Sequence, residues 1–487
     1  MTSGALLVAG TSSDAGKSVL VAGICRWLAR QDVSVAPFKA QNMSLNSFVT
    51  LDGAEIGRAQ AMQAAAAGIE PTADMNPVLL KPGSDRRSHV IVKGHPWAEA
   101  DALGYRDHAA YLKSVALESL ERLKQTYDVV IAEGAGSPAE INLRATDIAN
   151  MGLARAAGLP VIVVGDIDRG GVFAAMYGTL ALLDPADQAL ISGFVINKFR
   201  GAPELLTSGI EALERKTGRQ TLGVIPWRAG LRIDAEDSLA LDGYEHHGQF
   251  FDRELKIAVL RLPKISNFTD VDPLAAEPGV QVRFVTAPAE AMAADLLIIP
   301  GSRATVADLA WLRERRLDQV ITERAGRNKP VLGICAGYQM LSEEIDDLVE
   351  SRQGTVKALG LLPARVRFDN SKTLARPSGP SYEIRHGVTE ITDEHATPFA
   401  GGCRVGVVFG TSRHGAFEDN EFRRAFLREI GFTPAPDTDY EQIRQNTLDI
   451  LGDLVADHLN TEALTELIEH GPAPALPTVL ASLHPAG

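Results

Sequence analysis

The amino-acid sequence predicts an α/β protein built as two doubly wound domains, and three observations carry that reading. Short Val/Ile/Leu runs alternate with helical stretches in two separate blocks, the first run feeds a glycine-rich turn ending in Gly-Lys-Ser, and a run in the second block ends on a glycine-framed cysteine. Strand-like runs spaced by helices require parallel crossovers, which is how doubly wound sheets are made. The 487 residues suffice for two or three domains, and a hydrophobic fraction of 45% supplies their cores. A formal net charge of −14 argues against nucleic acid as a partner, so a site for an anionic substrate has to be locally basic. No apolar stretch is long enough to span a bilayer, and the apolar start runs directly into the glycine-rich turn rather than a cleavage site. No membrane partner and a soluble, cytoplasmic protein are therefore expected. Cys25, Cys335 and Cys403 form neither a disulfide framework nor a CxxC pattern, as suits a reducing compartment.

Taken in order, the runs ALLVAG (5–10), VSVAPF (33–38), YDVVIAEG (127–134), PVIVVGDI (160–167) and ISGFVINK (191–198) are the expected strands of a first domain over 1–230. Residues 231–254 lose periodicity and are polar and acidic, marking a linker. A second domain over 255–440 is read from LKIAVLRL (255–262), DLLIIPGS (295–302), PVLGIC (330–335) and CRVGVVFG (403–410), the last taken as a single strand. Residues 441–487 read as a helical tail whose Pro-rich end, PAPALP, is expected to fray.

The turn GTSSDAGKS (10–18) has the physics of a phosphate loop, with one residue more than the usual spacing. Gly10, Thr11 and Gly16 would offer backbone N–H groups to phosphate oxygens, Lys17 would reach the outer phosphates, and Ser18 would ligate Mg²⁺. ATP and Mg²⁺ are the cofactors this implies. Glu133, at a strand's carboxyl end, is the expected second metal ligand, with Asp52 in VTLDGAE a weaker candidate. Asn197 and Lys198 end FVINK, where Asn197 either reads an adenine edge or serves as a turn residue. Lys39, at the end of the second run, could neutralise charge on a transferred γ-phosphoryl group. Asp166 and Arg169 of DIDRGG sit at another strand end, and Arg86 and Arg87 lie in the basic stretch 81–94; these four are candidates for binding an anionic substrate.

In the second domain, Val331, Leu332 and Ile334 read as a buried strand, Gly333 and Gly337 permit a tight turn, and residues 336–341 start a helix. That places Cys335 at a helix N-terminus, where unpaired N–H groups favour a thiolate. His414, after another apolar run, is the expected base, with His386 its rival. Backbone N–H groups near Gly301 and at Ala336 could form an oxyanion hole.

With these residues in place, the second domain resembles the class I glutamine amidotransferases. The first resembles dethiobiotin synthetase, including the longer phosphate loop, the EGAG turn at Glu133 and the Asn after the late strand. Their fusion in this order is similar to the corrinoid amidases, and VAPFKAQNMSLNS, GRAQAMQAAAAG, MNPVLLKPGSD, EGAGSPAEINL and DIDRGGVFA resemble the cobyric acid synthase branch of that group. The resemblance implies a P-loop amidoligase domain and glutamine as nitrogen donor through a Cys335 thioester. It also implies a corrinoid substrate, adenosylcobyrinic acid a,c-diamide, amidated at its b, d, e and g carboxylates to adenosylcobyric acid. Two positions depart from the pattern. Ala416 stands where a triad glutamate is usual, so His414 is expected to act in a Cys-His dyad, what orients it being left open, with Glu418 the nearest acid in sequence. SYEIRHG replaces GYEIHxG, putting Arg385 where a histidine is expected. The alternatives are another such amidase, for example a cobyrinic acid a,c-diamide synthase, or a nucleotide-switched partner protein similar to the partitioning ATPases. The latter usually carry an additional early loop lysine, which GTSSDAGKS lacks. Nothing in the sequence fixes an oligomeric state.

Overall fold

The computed structural model describes residues 2–83, 87–231, 255–377 and 379–479. Of the expected linker only Leu231 falls within them, and Arg86 and the side chain of Arg87 lie outside.

Strand Gly4–Gly10 is buried on both faces: Ala5, Leu7 and Ala9 enter one core, Leu6 and Val8 the other. Such a strand reads as an unbroken apolar run, which makes it visible in sequence. It lies inside a parallel six-stranded sheet ordered Gln220–Pro226, Ile191–Phe199, Val161–Asp166, Gly4–Gly10, Val129–Glu133, Val35–Phe38. Gly4–Gly10 leads directly into the phosphate loop, and its two neighbours end in Glu133 and Asp166. Polar residues of three adjacent strands are thus gathered at one carboxyl edge, where open α/β sheets bind ligands.

The second sheet has seven strands, Val280–Val285, Leu255–Leu260, Leu296–Ile299, Val331–Ile334, Val408–Thr411, Gly402–Val405 and Thr397–Phe399. The first five are parallel and the last two antiparallel. CRVGVVFG is therefore not one strand but a hairpin. Gly406 takes φ 56° at its tip, a conformation open to glycine, and the chain reverses there.

Two smaller sheets have no counterpart in the sequence reading. One joins Gln41–Met43, Val78–Pro82, Arg87–Val92 and His95–Asp101 in the first domain; the other joins Gly354–Lys357, Glu344–Asp347, Ala364–Ala375 and Glu383–Ile391 in the second. Their strands are short or interleave polar residues, so they give little periodic signal. Together with the hairpin Ser47–Val49/Glu55–Gly57 they bring the domains together. Phe48 packs its ring 5.1 Å from that of Tyr382, and Asn267 Nδ2 donates to Ser47 O at 2.8 Å. Arg376 lies 5.1 Å above the Phe48 ring.

As far as Val479, the last described residue, the C-terminal segment packs against the first domain, where the proline-rich run was expected to fray. Helix Tyr440–His458 lays Leu448, Leu451, Leu454 and Val455 against Lys17–Ala29, the helix that follows the phosphate loop. Gly23 makes the approach possible, since a Cβ there would stand 2.7 Å from Leu451 O. Thr461–His470 adds Leu464 and Ile468 to the same core. Beyond them Val479 is buried and its N–H donates to Gln188 Oε1 at 2.8 Å, which pins the segment containing PAPALP to the first domain. The proline-rich composition suggested fraying because the partners, Gln188 and Arg219, lie more than 250 residues away.

Candidate functional site

At the carboxyl edge of the first sheet, Gly16 caps helix Lys17–Ala29 with φ 99°. A Cβ there would lie 2.0 Å from Asn197 Nδ2, which itself donates to Ala15 O at 2.9 Å. Asn197 thus braces the phosphate loop, and the Thr11 N–H extends the sheet by donating to Val164 O at 2.9 Å. Lys17 Nζ folds back onto Ser12 O and Gly136 O, at 3.0 and 3.1 Å. Glu133 is wholly buried and receives Ser18 Oγ at 2.7 Å, Lys39 Nζ at 2.8 Å and Gln63 Nε2 at 2.6 Å. Burial opposes its charge, yet Lys39, helped by Gln63 and Ser18, holds its carboxyl below the usual range. A hydroxyl and a carboxylate this close are hard oxygen donors that fit Mg²⁺, which takes one or two protein ligands and the rest from phosphates and water. Among the described residues, no group of three or more His, Cys, Asp or Glu could hold a metal alone.

The other sequence candidates disperse. Asp52 is exposed on the hairpin turn and bonded to Thr50, with no described contact joining it to Ser18 or Glu133. Asp166 receives Lys198 Nζ at 2.8 Å, and Arg169 reaches Asp14 at 3.3 Å, so both rim the phosphate loop. Gln63, which the sequence reading missed, stands on the short helix Arg58–Ala66 inside the block GRAQAMQAAAAG.

At the edge of the second sheet, Cys335 itself takes the turn, with φ 51° and ψ −106°. Such a backbone costs roughly 1–3 kcal/mol in a non-glycine residue and persists only where its surroundings enforce it. Here the Cys335 N–H donates to Thr411 O at 2.7 Å. The framing glycines serve close approach rather than the turn: a Cβ on Gly337 would sit 1.9 Å from Ile299 O, and one on Gly333 2.6 Å from Gly337. Ala336 follows as the first residue of helix Ala336–Leu341. Gly301 packs against the His414 ring, a Cβ there falling 3.1 Å from His414 Cε1.

His414 does not stand alone. Its Nδ1 lies 2.7 Å from Asp270 Oδ2, and Asp270 Oδ1 accepts the Gly415 N–H at 2.9 Å. Both side chains are buried, at 2% and 5% exposure, so the pair is shielded from water. Burial disfavours the imidazolium, but Asp270 and then Cys335 outweigh it and hold the His414 pKa up at about 10. What orients His414, left open by the sequence, is the Asp270 carboxylate, which stands on the imidazole beside Cys335. Asp270 lies 144 positions before the histidine; its only sequence signal was an acid downstream of the second domain's first strand. Glu418, the nearest acid in sequence, instead binds Arg58 at 2.5 Å. His386 lines the same pocket as Cys335, but its Nδ1 is held by Asp369 O at 3.0 Å. Tyr382 stacks on the His414 ring at 5.6 Å while its hydroxyl donates to Ser47 O at 3.0 Å, so the first domain helps to hold the base.

A phosphate-loop sheet and a buried thiol–imidazole–carboxylate set, in one chain, define a nucleotide-binding glutamine amidotransferase. Residues 6–240 match the CobQ/CobB/MinD/ParA nucleotide binding domain, and residues 256–422 the CobB/CobQ-like glutamine amidotransferase domain. The chain is 58% identical to a cobyric acid synthase of Streptomyces coelicolor, the match covering 98% of each chain. It is 56% identical to that of Frankia casuarinae over 98% of this chain and 99% of the relative, and 52% identical to that of Mycolicibacterium smegmatis over 99% and 100%. The chain belongs to the cobyric acid synthase family: it is a ligase of cobalamin biosynthesis that takes its nitrogen from glutamine. No helix among the described residues is long and apolar enough to cross a membrane.

Proposed function

We propose that the protein amidates the b, d, e and g carboxylates of adenosylcobyrinic acid a,c-diamide in the cytoplasm, using ATP, Mg²⁺ and glutamine, to give adenosylcobyric acid. The observation that supports this best is the Asp270–His414 pair beside the strained Cys335 elbow, in one chain with the Ser18–Glu133–Lys39 site. A cysteine with a merely structural role would not need the cost of that backbone, which weighs against a nucleotide-switched partner protein.

In the second domain, the Cys335 sulfur, its proton already held on His414 beside Asp270, bonds to the glutamine amide carbon as the carbonyl electrons move to oxygen. The oxyanion is received by the N–H groups at Ala336 and near Gly301. His414 returns the proton to the leaving nitrogen, and ammonia departs. Water, deprotonated by His414, then cleaves the thioester to glutamate. Asp270 fixes the imidazole tautomer and stabilises its protonated form, as the third member of such a set does.

In the first domain, a corrinoid carboxylate oxygen attacks the γ-phosphorus of ATP and ADP leaves. Ammonia attacks the acyl phosphate carbon and phosphate leaves. Lys17 and Lys39 would offset charge on the transferring group. Ser18 and Glu133 would hold Mg²⁺, which when bound adds further positive charge at the phosphates.

Mass spectrometry of the diamide incubated with enzyme, ATP, Mg²⁺ and glutamine should show four successive conversions of carboxylate to amide. A product stopping at other carboxylates, or no gain at all, would reject the assignment.

Asp270→Asn should lower glutamine-dependent turnover roughly 10²–10⁴-fold, the worth of a positioned acid–base group, and spare turnover with ammonia. Because the His414 pKa is raised, the pair's stabilisation is complete below the ordinary histidine range, about 6.5, and is lost as pH rises through about 10. The difference in Tm between the parent and Asp270→Asn should accordingly narrow on going from neutral pH to above 10. A constant difference would contradict the ion pair.

A further inference from the structure

The pocket that holds Cys335 and His414 is lined by Arg303, Lys372, Arg385 and His386 of the second domain, and also by Lys81 of the first. Lys81 lies on strand Val78–Pro82 and is buried. Its Nζ donates to Glu55 Oε1 at 2.6 Å and to Ser47 Oγ at 2.9 Å. Lys372 reaches over from the second domain to the other oxygen of the same carboxylate.

Charge balance around this pocket is uneven. Arg303 is paired with Glu350, and Arg385 with Glu383 at 2.8 Å. Lys81 and Lys372 must share Glu55, which is fully buried. Among the described residues, these groups leave one positive charge without its own carboxylate. Burial lowers the Lys81 pKa to about 8 against the pull of Glu55, with Lys372 and Arg303 adding repulsion. Neighbouring His89 is pushed down to about 3 by burial first and then by Arg303, Lys372, His386 and Lys81. The local field is positive although the protein as a whole is acidic, and a buried positive charge calls for an anion.

Glutamine brings one anionic group, its α-carboxylate, at the end opposite the amide that must meet the sulfur. We propose that Lys81 and Lys372 together receive the α-carboxylate of glutamine, so that the glutamine pocket is completed by a residue of the ATP-binding domain. This rests on the glutaminase reading above. The domain contact thereby gains a chemical role, since the second domain alone lacks one of the two cations.

The test uses the full chain with glutamine and with L-glutaminamide, whose α-carboxyl is an uncharged amide. Lys81→Met should raise KM for glutamine roughly tenfold or more at nearly unchanged kcat, the scale of one lost charged hydrogen bond. KM for L-glutaminamide should stay where it is in the parent protein. Lys372→Met, a substitution made in the second domain, should give the same selective pattern, and both variants should retain ammonia-dependent amidation. Equal losses for the two donors, an unchanged KM for glutamine, or loss of the ammonia-dependent reaction in both variants would overturn the inference. If the parent protein hydrolyses no glutamine, the glutaminase reading itself fails; parallel KM changes with hydrolysis intact defeat only the role of the lysines.

Discussion

Cys335→Ser should abolish amidation from glutamine while amidation from ammonia continues. Serine has nearly the volume of cysteine, and the elbow is enforced by backbone: the Cys335 N–H to Thr411 O bond and the glycine contacts with Ile299 and Gly337 are unaffected by the exchange. What is lost is the nucleophile. An alcohol beside an imidazole tuned for a thiol attacks an amide far more slowly, and a loss of roughly 10³-fold or more in glutamine-dependent turnover is expected. Since the ATP site uses other side chains, turnover with ammonia should stay within about twofold, as for independent sites. Parallel steady-state assays with the two nitrogen sources make the comparison. Loss of both activities would show that the division of labour between the domains is wrong.

Lys17→Ala is the complementary experiment, with no amidation expected from either source. Lys17 begins the helix behind the phosphate loop and rests on Ser12 O and Gly136 O, within the loop region that would surround phosphates. Removing a cation that meets the transferring phosphoryl group costs roughly 10³-fold or more. Without an acyl phosphate, ammonia faces a carboxylate, whose resonance makes it a poor electrophile. The assay is product formation with ammonia as the donor. Normal turnover there would remove Lys17 from the ATP site.

Much of the fold was legible because its two main sheets are largely parallel and buried. Runs such as ALLVAG and PVIVVG are apolar on both faces, so they stand out without a partner in view. The phosphate loop and the cysteine elbow were legible for a different reason: each is a local device, in which a turn, a glycine and a functional side chain must occur within a few residues. The hairpin at Gly406 was misread because a two-strand return and one longer strand have the same apolar composition. The inserted sheets were missed because their strands draw stability from each other and from the domain contact rather than from an apolar run of their own.

The site shows the same division. Lys17, Ser18, Glu133, Cys335 and His414 could be named from strand ends and spacing. The partners that tune them could not: Gln63 on Glu133, Asp270 on His414, Tyr382 against the imidazole and Lys81 in the cysteine pocket. Two α/β units, a phosphate loop and a glycine-framed cysteine at a strand end are readable in the sequence alone, since each is written in contiguous residues. Only the folded chain sets Asp270 on His414, lays the C-terminal helices over the phosphate-loop helix, and brings residues of the first domain to the second. These are contacts between groups tens to hundreds of residues apart, and folding, not spacing, brings them within hydrogen-bonding distance.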